Sequence, residues 1–247
     1  MERLVVRFFG SGDAFGSGGR LQSCIMLDTG GPGILLDCGA TALSGMKRHG
    51  FDSSHIETIL VSHLHGDHFG GLPFLIKEIQ VKGIRQAPLV IAGPEGLEAG
   101  TRELLKVLFP GREDEDPGFW PEFVTLSPGK RVSLGGIEVT AFPAVHTPTA
   151  RPLSLKIECL GKVVAYSGDT AWSEELPEAC RRADLFICEC SEYRSADGGH
   201  IDYQTLLEHL GELDCRRIIL THLGETMLGR CGSLELECAS DGAFLIL

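Results

Sequence analysis

The stretch LVSHLHGDHFGG, Leu60 to Gly71, sets three histidines and an aspartate within six residues: His63, His65, Asp67 and His68. Histidine is scarce in this chain, nine in 247 residues, so composition alone does not produce such crowding. The run TILV just before it, residues 58–61, is aliphatic and β-branched and reads as a buried strand. The cluster therefore opens the loop at a strand end, where a rigid element can hold side chains for chemistry.

The same arrangement recurs further on. FPAVHTP puts His146 after a strand-like run, VAYSGDT does so for Asp169, and IILTHLG for His222. Taken singly, each has an ordinary explanation: a histidine after a strand is usually packed or solvated, and an aspartate in SGDT can make a turn or cap a helix. Together, five histidines and two aspartates at four strand ends point to metal binding. His49, His55 and His209 lack this placement and read as surface or structural residues. Seven donors exceed what one tetrahedral zinc uses. They suit two adjacent divalent ions, with three histidines on one, an aspartate and two histidines on the other, and one carboxylate bridging. Zinc leads the candidates, while mixed imidazole and carboxylate donors also accept manganese or iron. Two ions sharing a water or hydroxide is a strategy for hydrolysis.

Short β-rich runs alternate with helical patterns along the whole chain. RLVVRFF, SCIMLDT, GILLDCG, TILVSH, PLVIAG and FVTL read as strands in the first half, followed by RVSL, IEVTAFPAV, SLKIECL, KVVAYSGD, ADLFICEC, RRIILTH and GAFLIL. Helical patterns fall near 42–48, 72–79, 95–108, 174–182 and 203–210. Strands in each half, each set followed by helices, imply two sheets packed face to face with helices outside, in one domain spanning residues 1–247. The acidic, Pro- and Gly-rich stretch Pro110–Glu122 reads as a solvated loop that a site mouth could use as a lid.

Composition narrows the function further. A net charge of −12 disfavours a large nucleic-acid footprint but leaves room for a small anionic substrate, because bound metals dominate the field inside a site. The nine cysteines form no CxxC pair, and Cys188 and Cys190 in CEC have the spacing of buried strand residues. With neither a signal-peptide pattern nor a membrane-length apolar run, a cytoplasmic protein without membrane contact is expected.

With these residues in view, the chain resembles the metallo-β-lactamase superfamily. HLHGDH matches the HxHxDH signature, and His146, Asp169 and His222 follow in the order of the later ligand motifs. The resemblance implies an αββα sandwich of two mixed β-sheets with helices on both outer faces. It implies His63, His65 and His146 on one metal, Asp67, His68 and His222 on the other, and Asp169 bridging. It also gives Asp37, in LLDCG, a role in supporting the ligand loop. Within the superfamily, GSGDAFGSGGRLQS and GHIDYQTLLEHL look most like the tRNase Z group. There a histidine before the last ligand protonates the leaving oxygen, and His200, 22 residues before His222, is the matching position.

Three departures separate the chain from tRNA processing itself. The HEAT motif becomes CECS, keeping Glu189 but placing Cys188 where the histidine would be. The substrate loop PxKxRN becomes GSGGRL, so that only Arg20 survives; the loop reads equally as a place where Arg20 meets a substrate phosphate or carboxylate and as a flexible turn after the first strand. His146 and Asp169 lie 23 residues apart, room for one hairpin and not for a basic tRNA-gripping arm. The expected function is therefore a dinuclear metal phosphodiesterase acting on a small phosphodiester or cyclic phosphate. Hydroxide held by the metals attacks phosphorus, Asp67 and Asp169 hold the metals and orient it, and His200, tuned by Glu189, is the general acid. Thioester or lactone hydrolysis, tRNA 3′ processing and a non-enzymatic scaffold are the alternatives. A homodimer is compatible with all of them.

Overall fold

The computed structural model describes residues 3–83, 87–111, 118–194 and 198–247. Strands β1 (Val5–Gly10), β2 (Cys24–Asp28), β3 (Gly33–Leu36), β4 (Ile56–Leu60), β5 (Val90–Gly93) and β6 (Glu122–Thr125) build the first sheet. Strands β7 (Arg131–Leu134), β8 (Ile137–Pro143), β9 (Leu153–Cys159), β10 (Lys162–Tyr166), β11 (Leu185–Glu189), β12 (Ile218–Thr221) and β13 (Glu237–Cys238) build the second. The last strand, β14 (Phe244–Ile246), returns to the first sheet beside β1, giving two seven-stranded sheets, β14-β1-β2-β3-β4-β5-β6 and β13-β12-β11-β10-β9-β8-β7. In each, an antiparallel half gives way to a parallel half, at β3 in the first and β10 in the second.

Successive strand residues point to opposite faces, and most of these strands are buried on both. In β2, Ile25 and Leu27 enter the core between the sheets, while Cys24 and Met26 meet the helices outside. In β11, Leu185 and Ile187 join the same central core, and Phe186 and Cys188 face the other way. That double burial is why the strands read as near-continuous apolar runs. Helices α1 (Ala42–Arg48), α3 (Leu72–Lys82) and α4 (Leu97–Leu108) cover the first sheet. Helices α5 (Glu175–Cys180), α6 (Tyr203–Glu208) and α7 (Glu225–Leu228) cover the second, completing the αββα sandwich. A further short helix, α2 (Gly66–Phe69), lies inside the histidine-rich stretch.

Helix ends differ from the sequence reading for local reasons. Helix α4 starts at Leu97 and not at residue 95, because Gly96 sits at φ 92. Helix α3 runs on to Lys82 and stops at Gly83, whose left-handed φ of 56 closes the last turn. Among the described residues no helix is long and apolar enough to cross a membrane. Of the acidic stretch expected as a lid, residues 112–117 lie outside the described residues.

Candidate metal centre

Strands β8, β10, β11 and β12 run in the same direction, so their C-terminal ends share one edge of the second sheet. The segments that follow carry His146, Asp169 and His222, and Glu189 is the last residue of β11. The loop after β4 meets this edge through two backbone bonds, Leu153 N to Ser62 O at 3.0 Å and Leu64 N to Ala150 O at 2.9 Å. Gly168 permits the close approach: it sits at φ +58, and an added Cβ would lie 2.8 Å from both Ser62 Cβ and Leu153 O. His222 adopts φ 58, rare for a histidine, with its amide held by Ser11 O at 3.1 Å.

The seven expected donors converge into two overlapping groups. Ligand atoms of His63, His65, His146 and Asp169 lie within 4.8 Å of one another, as do those of Asp67, His68, Asp169 and His222. Asp169 belongs to both groups, the place of a bridging carboxylate. Its Oδ2 is 3.7 Å from His63 Nε2, 3.5 Å from His222 Nε2 and 4.0 Å from His146 Nε2, and its Oδ1 is 3.2 Å from His68 Nε2. Although these contacts are within ion-pair range, His63 Nε2, His68 Nε2, His222 Nδ1 and Asp169 Oδ1 are buried and make no hydrogen bond. Four such atoms in one cluster would be costly in a packed interior unless a cation takes their lone pairs. The residues therefore fit divalent metal.

The electrostatics agree. Burial, reinforced by His68, pushes His63 down, and burial also lowers His146 and His222, favouring the neutral imidazole that binds metal. Burial opposes ionisation of Asp169, but His222, His68 and His63 override it and hold the carboxyl well below its usual range. Asp67 is likewise held low against burial by His68. His68 alone is pushed up: burial resists, but the surrounding carboxylates of Asp169, Asp37 and Asp67 prevail. A site this rich in carboxylate suits positive charge.

Beneath the donors lies a buried scaffold. Asp37, at φ 56 just past β3, accepts from Ser62 N at 2.7 Å, Ser62 Oγ at 2.8 Å, His68 Nδ1 at 2.6 Å and Tyr166 Oη at 2.5 Å. Fixing Nδ1–H of His68 leaves the Nε2 lone pair free for a metal, 3.2 Å from both Asp67 Oδ2 and Asp169 Oδ1. His146 is oriented in the same manner by Nδ1 donating to Gly199 O at 2.7 Å. His200 packs against both halves of the cluster, its ring centroid 4.7 Å from His146 and 5.5 Å from His222. Its Nδ1 is 3.0 Å from each carboxylate oxygen of Glu189, which also accepts from Thr170 N at 2.5 Å.

Sequence reasoning missed Ser62, Tyr166, Thr170 and the Gly199 carbonyl. Tyr166 left a trace, a polar-tipped aromatic closing the aliphatic run before SGDT, but its partner Asp37 is 129 residues away. Arg20 Nη1 donates to Ser11 Oγ at 3.0 Å and to Ala239 O, binding the β1–β2 loop to the segment after β13. Asp241 completes this knot through Ser11 N, Ser11 Oγ and Leu21 N. His49, His55 and His209 lie outside both groups: His49 stacks near Phe9, His55 faces Asp52 O, and His209 pairs with Glu212.

The interval from His146 to Asp169 is fully described and holds one 3-10 turn and the β9–β10 hairpin, turned at Leu160 (φ 51) and Gly161 (φ 71), with no arm. Ribonuclease Z of Methanosarcina acetivorans is 27% identical, over 89% of this chain and 87% of its own length. Anti-Pycsar protein Apyc1 of Bacillus phage 010DV004 is 25% identical, over 91% of this chain and 90% of its own. Among solved structures, the metallo-β-lactamase fold protein YhfI from Bacillus subtilis matches with a TM-score of 0.79 over 100% of both chains at 19% identity, a likeness of fold. Fold, donor set and relatives make this chain a metal-dependent hydrolase of the metallo-β-lactamase superfamily, of the short RNase Z-like kind. The family model described as Anti-Pycsar protein Apyc1 matches residues 4–235, and the chain belongs to that family.

Proposed function

We propose that the chain is a phosphodiesterase acting on a small phosphodiester or cyclic phosphate, with His200 as general acid. The observation that carries this reading is the His200–Glu189 pair set against both halves of the donor cluster. An alkoxide leaves phosphorus poorly until it is protonated, whereas a thiolate leaves readily, so a proton donor beside the cluster suits a phosphodiester best.

Two divalent ions, zinc first and manganese or iron as alternatives, would be held by His63, His65, His146 and Asp169 and by Asp67, His68, Asp169 and His222, and would supply Lewis acidity toward the phosphoryl oxygens and the attacking water. Asp67 and Asp169 stay ionised and accept hydrogen bonds from that water, orienting it toward phosphorus. Asp37 keeps His68 in one tautomer and one orientation. Burial pushes Glu189 up to about 8 against the pull of His200, so the pair retains a proton in the neutral range. With Nδ1 of His200 engaged by Glu189, Nε2 carries the proton that passes to the leaving oxygen. A chain with net charge −12 and no arm has little to hold a polyanion, which favours a small anionic substrate. Nine cysteines in the thiol form suit a reducing, cytoplasmic setting.

A leaving-group comparison in His200→Ala tests the reading. On an alkyl phosphodiester, kcat should fall roughly 10²–10⁴-fold, the usual contribution of a general acid. On a p-nitrophenyl diester, whose leaving group needs no proton, the loss should be under about tenfold. Equal losses on both would remove His200 from proton transfer. Salt-sensitive binding and cleavage of a tRNA precursor would instead favour tRNA maturation.

A further inference from the structure

The nine cysteines are thiols, and none of them enters either donor group of the metal centre. Two that are distant in sequence meet at the far side of the second sheet. Strands β10, β11 and β12 are parallel, so β11 and β12 start at the edge opposite the one that carries Glu189 and His222. Cys180 closes α5 shortly before β11, and Cys215 lies shortly before β12, with residues 181–214 between them. Backbone bonds join the two approaches. Arg182 N donates to Asp214 O at 2.6 Å and Arg216 N to Ala183 O at 2.9 Å, which sets Cys215 directly beside Ala183. Ala183 N donates to Cys180 O at 2.9 Å, so the turn that starts at Cys180 ends at this bridge.

Both side chains join the apolar cluster under the helices of the second sheet, and the two thiols hydrogen-bond to each other. Pro177 O accepts from Cys180 Sγ at 3.6 Å, which fixes that sulfur at the end of α5. Cys180 is buried, whereas Cys215 is half-buried and open to a small solute. Their contact divides the pair, pushing Cys180 up and holding Cys215 below its ordinary value. Burial pushes the thiols of Cys24, Cys38, Cys159, Cys188 and Cys190 up. Cys231 and Cys238 form a second hydrogen-bonded pair, but burial and that bond raise Cys238 to about 12, which leaves it little thiolate. Cys215 is the thiol suited to attack, and Cys180 is the partner behind it.

We propose that Cys180 and Cys215 are a redox-sensing thiol pair, in which a peroxide oxidises Cys215 and Cys180 resolves it to a disulfide. The Cys215 thiolate attacks one peroxide oxygen, the O–O bond breaks, and the other oxygen leaves as hydroxide and takes up a proton to become water. The Cys180 sulfur then attacks the resulting sulfenic acid. An S–S bond forms, the S–O bond breaks, and the hydroxide leaves with the Cys180 proton as a second water. Two thiols lose two electrons, hydrogen peroxide gains them, and a dithiol reductant reverses the change. The link closes residues 181–214, Glu189 and His200 among them, into a loop and ties the roots of β11 and β12 without touching a metal donor. It requires nothing of the substrate, so it stands apart from the phosphodiesterase reading.

The test exposes metal-loaded protein to hydrogen peroxide, alkylates the remaining thiols and maps linked peptides by mass spectrometry without reduction. The native chain, Cys215→Ser and Cys180→Ser are compared. The native chain should yield a Cys180–Cys215 peptide that disappears with dithiothreitol, and oxidation should raise its Tm by about 5–15 °C. Cys215→Ser should give neither the link nor the rise. Cys180→Ser should stop at a Cys215 sulfenic acid, which dimedone captures. Cys180→Ser buries a hydroxyl at a cost in stability, so Cys215→Ser, at a half-buried position, carries the test by itself should the other variant not fold. A native chain that forms no link overturns the assignment, as does Cys215 passing to sulfinic acid while Cys180 is still free to alkylate. A link between Cys231 and Cys238 alone, or a Tm rise that survives Cys215→Ser, overturns it equally.

Discussion

Replacing Asp37 by Asn probes the scaffold beneath the donors with almost no change of shape. The backbone at φ 56 does not confound the experiment, because Asn also tolerates the left-handed region. The carboxylate takes four hydrogen bonds, one on Oδ1 from Ser62 N and three on Oδ2 from Ser62 Oγ, His68 Nδ1 and Tyr166 Oη. Tyr166 stays a donor, since burial and the Asp37 charge push its phenol well up. In the better orientation the amide oxygen keeps the three donors and its NH2 group faces Ser62 N–H, leaving one buried donor orphaned at about 1–3 kcal/mol. The other three lose charge assistance worth about 1 kcal/mol each. The sum, about 4–6 kcal/mol, corresponds to a fall in Tm of roughly 8–24 °C for a chain of this size. With His68 less firmly aimed, metal affinity should drop about 10–100-fold. Scanning calorimetry on chelator-treated protein and competition with a chromophoric chelator read the two effects. A variant within about 2 °C of the native Tm and with native metal affinity would refute the structural reasoning.

Two further outcomes follow from other charged groups. Glu189→Gln removes the carboxylate that favours a protonated His200, so the alkaline limb of the kcat/KM–pH profile should move to lower pH by about one unit or more; a profile that does not move would dissolve the pair. Glu78, whose side chain is 6% exposed, accepts from Lys47, Ser53 and Lys82, and these bonds hold it below its ordinary value against burial. Its folded pKa is depressed, so its stabilisation is present above the unfolded value of 4.5 and is lost as pH falls through the folded one. Glu78→Gln should therefore lower Tm by about 2–4 °C at pH 7, as expected for about 1 kcal/mol. The gap should close in acid, and a gap that persists there would contradict the ion-pair account.

What the sequence revealed depended on how local the signal was. Strand runs such as TILV and helix patterns such as residues 42–48 are written in neighbouring residues; α1 falls where the pattern puts it, and β4 (Ile56–Leu60) overlaps TILV but starts two residues earlier. Donors at strand ends were legible because a polar, metal-binding side chain closing an aliphatic run stands out. Their support was not, since Tyr166 meets Asp37, and His146 meets Gly199, only after the two sheets have packed. Arg20 is a similar case: its Nη1 bonds to Ser11 and Ala239 join segments far apart in sequence, and the glycine-rich loop gave no sign of them.

Whether this chain cleaves phosphodiesters is decided by steady-state hydrolysis with zinc- and manganese-loaded protein, with metal content counted and Asp67→Ala run alongside. Turnover of a linear or cyclic phosphodiester that disappears on chelation, returns with metal and is absent from a folded Asp67→Ala is the expected outcome. Two metals bound per chain with no phosphodiester turnover, while a thioester or lactone is hydrolysed, would contradict it.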